Sequence, residues 1–307
     1  MSEEVLNEDD VTRCGYVTLI GAPNAGKSTL LNQLVGAKIA IVSPKVQTTR
    51  SRVTAIAVEG NTQIIFVDTP GIFAPSRRLE KAMVNAAWDG VRDTDTLALI
   101  VDAKRGVTKD VERIIKSLEE ANAKAHLILN KIDTIKREKL LVLAQELTDR
   151  GIFNDVFMIS ALNGDGVAHL RETLATELPV GPWLYPEDQL ATAPMRSLAA
   201  EVTREKLFLR LNQELPYSLT VETEKWEERK DGSVKIDQVI FVSRANHKPI
   251  VLGKGGNTIR QIGAMAREEL EEMMGCRVHL FLFVKVREKW LDDPERYQEM
   301  GLDFPKG

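Results

Sequence analysis

Two glycine-bearing stretches of this 307-residue chain have the residue types to grip phosphate. The first is GAPNAGKS, Gly21 to Ser28, which fits the spacing G-x-x-x-x-G-K-S/T. Gly21, Ala22, Pro23, Asn24, Ala25 and Gly26 would form a bare turn whose N–H groups face inward around phosphate oxygens. A helix starting at Lys27, Ser28 and Thr29 would add partial positive charge. Lys27 can reach the outer phosphates of a nucleotide, and the Ser28 hydroxyl can ligate Mg²⁺. The second stretch is VLGKGGNTIR, Val251 to Arg260, with a lysine inside its glycine cluster.

Three further motifs belong with the first loop. DTPG begins at Asp68, directly after the apolar run QIIFV. A carboxylate at the C-terminal end of a strand can hold magnesium through water, and Gly71 offers an unencumbered N–H to a terminal phosphate. Thr69, Pro70 and Ile72 complete that candidate loop. NKID, Asn130 to Asp133, ends the run HLILN. The Asp133 carboxylate can accept two N–H groups from a guanine edge and would reject adenine by leaving buried groups unpaired. Lys131 can lie along the base plane. The segment ISA places Ser160 and Ala161 where a backbone N–H could reach the guanine carbonyl. The ligand expected from these four motifs together is GTP or GDP.

Such motifs work only if strands and helices bring them together. From Gly15 to about Val180, short apolar runs (GYVTLIG, TLALIVDA, HLILNKID, VFMISA) alternate with helix-sized segments such as KSTLLNQLVG and VERIIKSLEEANA. That alternation predicts a mostly parallel sheet covered on both faces, with RVTAIAVEGNTQIIFVDTPG forming one antiparallel hairpin. ELPVGPWLYPEDQLATAP, with Pro182, Pro186 and Pro194, breaks the pattern and marks a boundary. We therefore expect an acidic tail over 1–14, a first domain over 15–180, a linker over 181–194 and a second domain over 195–307. In the second domain the predicted order is helix, strand, strand, helix, glycine loop, helix, strand, with a hairpin at Asp231-Gly232.

Composition narrows the field. A 43% apolar and 28% charged chain can bury a core, and a net charge of -4 means that nucleic-acid binding must come from a local patch. No stretch approaches the roughly 20 apolar residues of a membrane helix. The acidic start excludes an ordinary secretory signal. Cys14 and Cys276 are far apart, and His126, His169, His247 and His279 show no metal-ligand spacing along the chain. The expected compartment is the cytoplasm.

By its motifs the first domain resembles the translation-factor-like GTPases. GAPNAGKS with Asn24, together with QTTR at Gln47 to Arg50, is similar to the branch containing Era, MnmE and Der. The resemblance implies an α/β P-loop GTPase domain, Mg²⁺ as cofactor, and a threonine that closes over Mg²⁺ and the terminal phosphate. Spacing leaves Thr48 and Thr49 open, and the resemblance selects Thr49. With Ile72 where many GTPases carry a water-orienting glutamine, hydrolysis is expected to be slow. Related GTPases with an apolar residue there use an asparagine like Asn24 to hold K⁺, so Asn24, Lys27 and Thr49 are the candidate catalytic residues.

GKGG, Gly253 to Gly256, fits the G-x-x-G loop of a KH module, in which glycines bring the backbone close to a sugar-phosphate chain and Lys254 supplies charge. Arg244, Lys248, Arg260, Arg277, Lys285 and Arg287 gather in the same region, and Lys289 would extend the patch. Ile250, Val251, Leu252 and Ile259 are candidates for an apolar groove holding unstacked bases. Trp290 and Tyr297 are expected to pack the C-terminal tail. The element order matches an α+β type II KH domain, and a GTPase domain followed by one KH domain resembles the Era family over almost the whole chain. That resemblance implies binding of the 3′ end of small-subunit ribosomal RNA, assembly of the 30S ribosomal subunit, and peripheral contact with the inner face of the cell membrane. Two alternatives are a constitutive RNA-binding protein with a structural nucleotide domain, and a tRNA-modification GTPase. The latter would call for a C-terminal cysteine and a folate-binding N-terminal domain, neither of which is visible.

Overall fold

The computed structural model describes residues 11–212, 214–288 and 290–305, so most of the acidic tail and Lys289 lie outside the described residues. The chain forms two compact units. One comprises the residues up to Ile39 together with Thr49–Thr192, and the other comprises Ala40–Thr48 and the residues from Ala193 onward.

The first unit is built on strands β1 (Arg13–Gly21), β2 (Val53–Glu59), β3 (Thr62–Asp68), β4 (Thr96–Asp102), β5 (Ala125–Asn130) and β6 (Phe153–Ile159), in the sheet order β2-β3-β1-β4-β5-β6. Every pairing is parallel except β2 with β3, the antiparallel hairpin. Helices α1 (Lys27–Val35), α2 (Arg78–Arg92), α3 (Lys109–Glu120), α4 (Arg137–Thr148) and α5 (Val167–Glu177) connect the strands. All seven residues of β3 and all six of β5 are buried, as strands covered on both faces must be. Ile64, Ile65 and Phe66 are wholly inaccessible, each burial contributing about 1.5–3 kcal/mol. Because the strands run parallel, Gly21, Asp68, Asn130 and Ile159 end them on the same side of the sheet, and their loops meet there.

The second unit carries a three-stranded sheet, β7 (Leu219–Glu228), β8 (Val234–Val242) and β9 (Val278–Val286), in that order. β7 pairs antiparallel with β8, and β8 parallel with β9. The hairpin turns at Gly232, whose N–H donates to the Arg229 carbonyl at 3.0 Å. Helices α6 (Met195–Arg210), α7 (His247–Leu252) and α8 (Asn257–Met274) bury Leu207, Val251, Ile262 and Ala266 against this sheet, and a short α9 (Pro294–Glu299) follows. The glycine loop separates α7 from α8. This is the order of elements predicted for the domain.

Candidate functional site

The first glycine loop is built for close approach. Gly26 has φ +101°, and a Cβ there would lie 2.2 Å from Asn130 Nδ2. Asn24 also lies in the left-handed region, at φ +63°. A Cβ on Gly71 would come within 3.0 Å of the Pro23 backbone, so the loop after β3 lies directly on the loop after β1. The Ile72 N–H donates to the Gly21 carbonyl at 3.1 Å. The Ile72 side chain is buried in a core cluster with Ile20 and Leu99, so it presents no polar group to water.

Lys27 opens α1 and is almost inaccessible. Its Nζ donates to the carbonyls of Gly21 at 3.1 Å and Ala22 at 3.2 Å. Burial pushes its pKa down to about 8, against the opposing pull of Asp68. Ser28 and Thr29 follow in the first helical turn. Ser28 Oγ donates to Asp68 Oδ2 at 2.7 Å. The Thr49 hydroxyl lies 2.9 Å from Ser28 Oγ and 3.3 Å from the same carboxylate oxygen. Asp68 is fully buried, its other oxygen, Oδ1, has no hydrogen-bond partner, and burial raises its pKa. A buried carboxylate with one orphaned oxygen beside two hydroxyls is an incomplete oxygen cage, which suits a hard divalent cation such as Mg²⁺. The geometry separates the two threonines. The Thr48 hydroxyl donates instead to the Lys45 carbonyl at 2.7 Å and lies 2.6 Å from Ser43 Oγ. Thr69, wholly buried, donates to the Leu19 carbonyl at 2.8 Å and anchors the start of its loop, ahead of Pro70.

Asn130 ties three strand ends together. Its Nδ2 donates to the Ala25 carbonyl at 2.9 Å, while its Oδ1 accepts the backbone N–H groups of Lys131 at 2.8 Å and Ala161 at 2.9 Å. The backbone N–H of Ala161, a candidate for the guanine carbonyl on sequence grounds, is therefore engaged by Asn130. Lys131, at φ +65°, donates through Nζ to the Asn24 carbonyl and to Asp102 Oδ2, both at 2.7 Å. Asp102 was not singled out from the sequence. It ends β4 as Asp68 ends β3, and that shared position was the available signal. Its Oδ1 also accepts the N–H groups of Lys104 and Arg105, which fixes the turn. Ser160 Oγ donates to Asp133 Oδ1 at 2.6 Å, orienting the carboxylate.

In the second unit, Gly253 has φ +73°, and a Cβ there would lie 2.1 Å from Thr258 Oγ1 and 2.9 Å from its N atom. Gly255 and Gly256, at φ +61° and +75°, face open space. Their backbone is thus bare toward solvent, with Lys254 exposed between Gly253 and Gly255. Arg244, Lys248, Arg260 and Arg277 are exposed as well. One expectation changes. Val251 is 0% exposed and packs in the core with Ile240 and Ile262, so it cannot touch a base; Ile250 beside it is 55% exposed. Lys285 pairs with Glu224 at 2.7 Å, and Arg287 pairs with Asp293 at 2.8 Å while lying over the Phe241 ring. Ile259 is half-buried against the same core as Val251. Trp290 and Tyr297 are buried, as expected of tail-packing residues.

A mostly parallel sheet whose strand ends gather a phosphate loop, a buried aspartate and an NKID turn defines a P-loop GTPase domain, and the αββααβ unit with its G-x-x-G loop defines a type II KH domain. Residues 16–131 match the family model described as "50S ribosome-binding GTPase", and residues 214–291 match the KH domain model. GTPase Era of Bradyrhizobium diazoefficiens is 60% identical over 295 residues, covering 96% of each chain. Among solved structures, an Aquifex aeolicus Era variant bound to GDP·AlF4⁻ is 36% identical with a TM-score of 0.89, covering 94% of this chain and 99% of its own. Era in complex with MgGDPNP and nucleotides 1506-1542 of 16S ribosomal RNA is 37% identical with the same TM-score and coverages. The chain belongs to the GTPase Era family and is a GTP-hydrolysing enzyme.

Proposed function

We propose that this chain uses GTP binding and hydrolysis to control its grip on the 3′ end of small-subunit ribosomal RNA during assembly of the 30S ribosomal subunit. The observation that carries the nucleotide half is the convergence of Ser28, Thr49 and the orphaned Asp68 oxygen beside Lys27. In this reading Ser28 and Thr49 hold Mg²⁺, with Asp68 acting through water, and the ion supplies charge neutralisation at the phosphates. Lys27 leaves its two carbonyl perches for the outer phosphates. Gly71 gives its N–H to the terminal phosphate, Asp133 accepts the guanine N–H groups, and Lys131 covers the base. Asn24 would hold K⁺, and the ion would supply charge that offsets what develops during transfer. With its side chain buried in the core, Ile72 cannot orient water, so turnover is slow without a partner.

The RNA half rests on the bare Gly255–Gly256 backbone and the exposed cations Arg244, Lys248, Lys254 and Arg260, which fit a sugar-phosphate chain. The relative crystallised with ribosomal RNA supports that choice of ligand. Lys285 and Arg287 would join only by giving up their carboxylate partners. Membrane contact forms no part of this proposal, and no helix among the described residues is long and apolar enough to cross a bilayer. The test is the affinity of the full chain for an oligonucleotide of the small-subunit rRNA 3′ end, measured with GDP and with a non-hydrolysable GTP analogue. The analogue should tighten binding by about fivefold or more, the usual scale of coupling between two sites. Equal affinities would leave a constitutive RNA-binding protein.

A further inference from the structure

Far from the nucleotide end of the sheet, His126 is bracketed by two carboxylates. Its ring is 2% exposed. Nε2 lies 2.7 Å from Glu177 Oε2, and Nδ1 lies 3.5 Å from Asp155 Oδ2 with no hydrogen-bond partner. A carboxylate only accepts, so Nε2 carries the proton shared with Glu177. Nδ1 then faces the Asp155 carboxylate oxygen, buried and without a hydrogen bond.

The backbone creates this meeting. β5 and β6 pair Ala125 with Phe153 but Leu127 with Val156, so the single residue His126 stands opposite the two residues Asn154 and Asp155. A bulge of this kind re-aims a side chain, and here it brings the Asp155 carboxylate to the ring. His126 and Asp155 lie four and five residues before Asn130 and Ser160, roughly 13–17 Å along the strands from the candidate guanine site.

We infer that His126 Nδ1 and Asp155 are ligands of a divalent transition metal of the Zn²⁺ class. Donors bound to a tetrahedral zinc at about 2.0–2.2 Å stand roughly 3.3–3.6 Å apart, and the 3.5 Å gap falls in that range. Glu177 takes the place of the carboxylate that fixes the tautomer of a metal-bound histidine and raises its basicity. A nitrogen donor selects Zn²⁺-like ions over Mg²⁺ or Ca²⁺, which prefer oxygen alone. The Asp155 side chain is 55% exposed and Glu177 is 36% exposed, so water can reach the ion and complete its coordination.

The test uses the full chain in excess Mg²⁺ and GDP, titrated with Zn²⁺ by calorimetry and with Co²⁺ by visible absorption. Wild type should take up one ion at this site, and the Zn anomalous signal in a crystal should fall between His126 and Asp155. Asp155→Asn, at an exposed position, should remove that uptake without loss of folding by circular dichroism, and Glu177→Gln should weaken it about 10–100-fold. Uptake unchanged in Asp155→Asn, or no uptake by wild type, would overturn the assignment and leave His126 as a buried ion-pair partner.

Discussion

Lys27 is held in a state that a phosphate ligand must reverse. Its folded pKa of about 8 lies below the ordinary lysine value of 10.5. Between those values the unfolded chain carries the extra proton, so the ligand-free protein should gain stability as pH rises across that window. Bound phosphate favours the ammonium, so binding above pH 8 takes up a proton. GDP affinity should therefore fall with rising pH, approaching about tenfold per unit, when followed by fluorescent-nucleotide titration between about pH 7 and 9. A flat profile would mean that Lys27 stays charged throughout. Asp133 makes a second prediction at this scale. Asp133→Asn replaces a double acceptor with one acceptor and one donor, a mismatch for guanine and a match for the extra carbonyl of xanthine. GTP affinity should drop by roughly 10⁴-fold while xanthosine triphosphate gains, as competition assays would reveal.

The elements set which glycines tolerate change. Gly253→Ala forces a side chain at φ +73° into the Thr258 backbone, so the start of α8 must shift and the melting temperature should fall. At Gly255 the Cβ meets nothing, leaving only the left-handed strain of about 1–2 kcal/mol. Gly255→Asp should therefore keep the fold while losing RNA affinity by at least roughly tenfold through charge repulsion, as gel-shift and melting measurements would separate. In the other unit, Phe66→Ala opens a cavity in the fully buried β3, at a cost of about 3–5 kcal/mol in denaturant unfolding. The strand would loosen at the very residue, Asp68, that ends it.

For the whole molecule the proposed coupling has a thermodynamic signature. If GTP tightens RNA by some factor, RNA must tighten GTP by the same factor, whatever the route between the sites. The two affinities, measured independently, test this. Replacing K⁺ with Na⁺ should slow GTP hydrolysis by roughly tenfold or more if Asn24 holds the cation, with RNA affinity unchanged. A rate indifferent to the ion would remove that role. With a net charge of -4, RNA binding relies on the local cations rather than on the whole chain. The salt dependence should be modest, and Lys254→Ala should reduce its slope by about one contact's worth.

Much of this was legible along the chain because phosphate loops and strand ends have obligatory residue types. Gly26, Lys27, Asp68 and Asn130 follow from local backbone and charge requirements, and the alternation of apolar runs with helical segments implies the sheet that aligns them. Side-chain direction was not legible. Val251 and Ile250 are neighbours of similar hydropathy, yet packing against Ile240 and Ile262 buries one and leaves the other exposed. Thr48 and Thr49 are identical in type, and only the fold turns one hydroxyl toward Asp68. Asp102 became a partner of Lys131, and Lys285 a partner of Glu224, through tertiary contacts that the local sequence does not encode. The histidines lack metal-ligand spacing along the sequence, and a one-residue slip in strand register is what brings Asp155 to His126. Local patterns fix what a loop can bind, whereas contacts across the sheet decide which donors are spent and which remain.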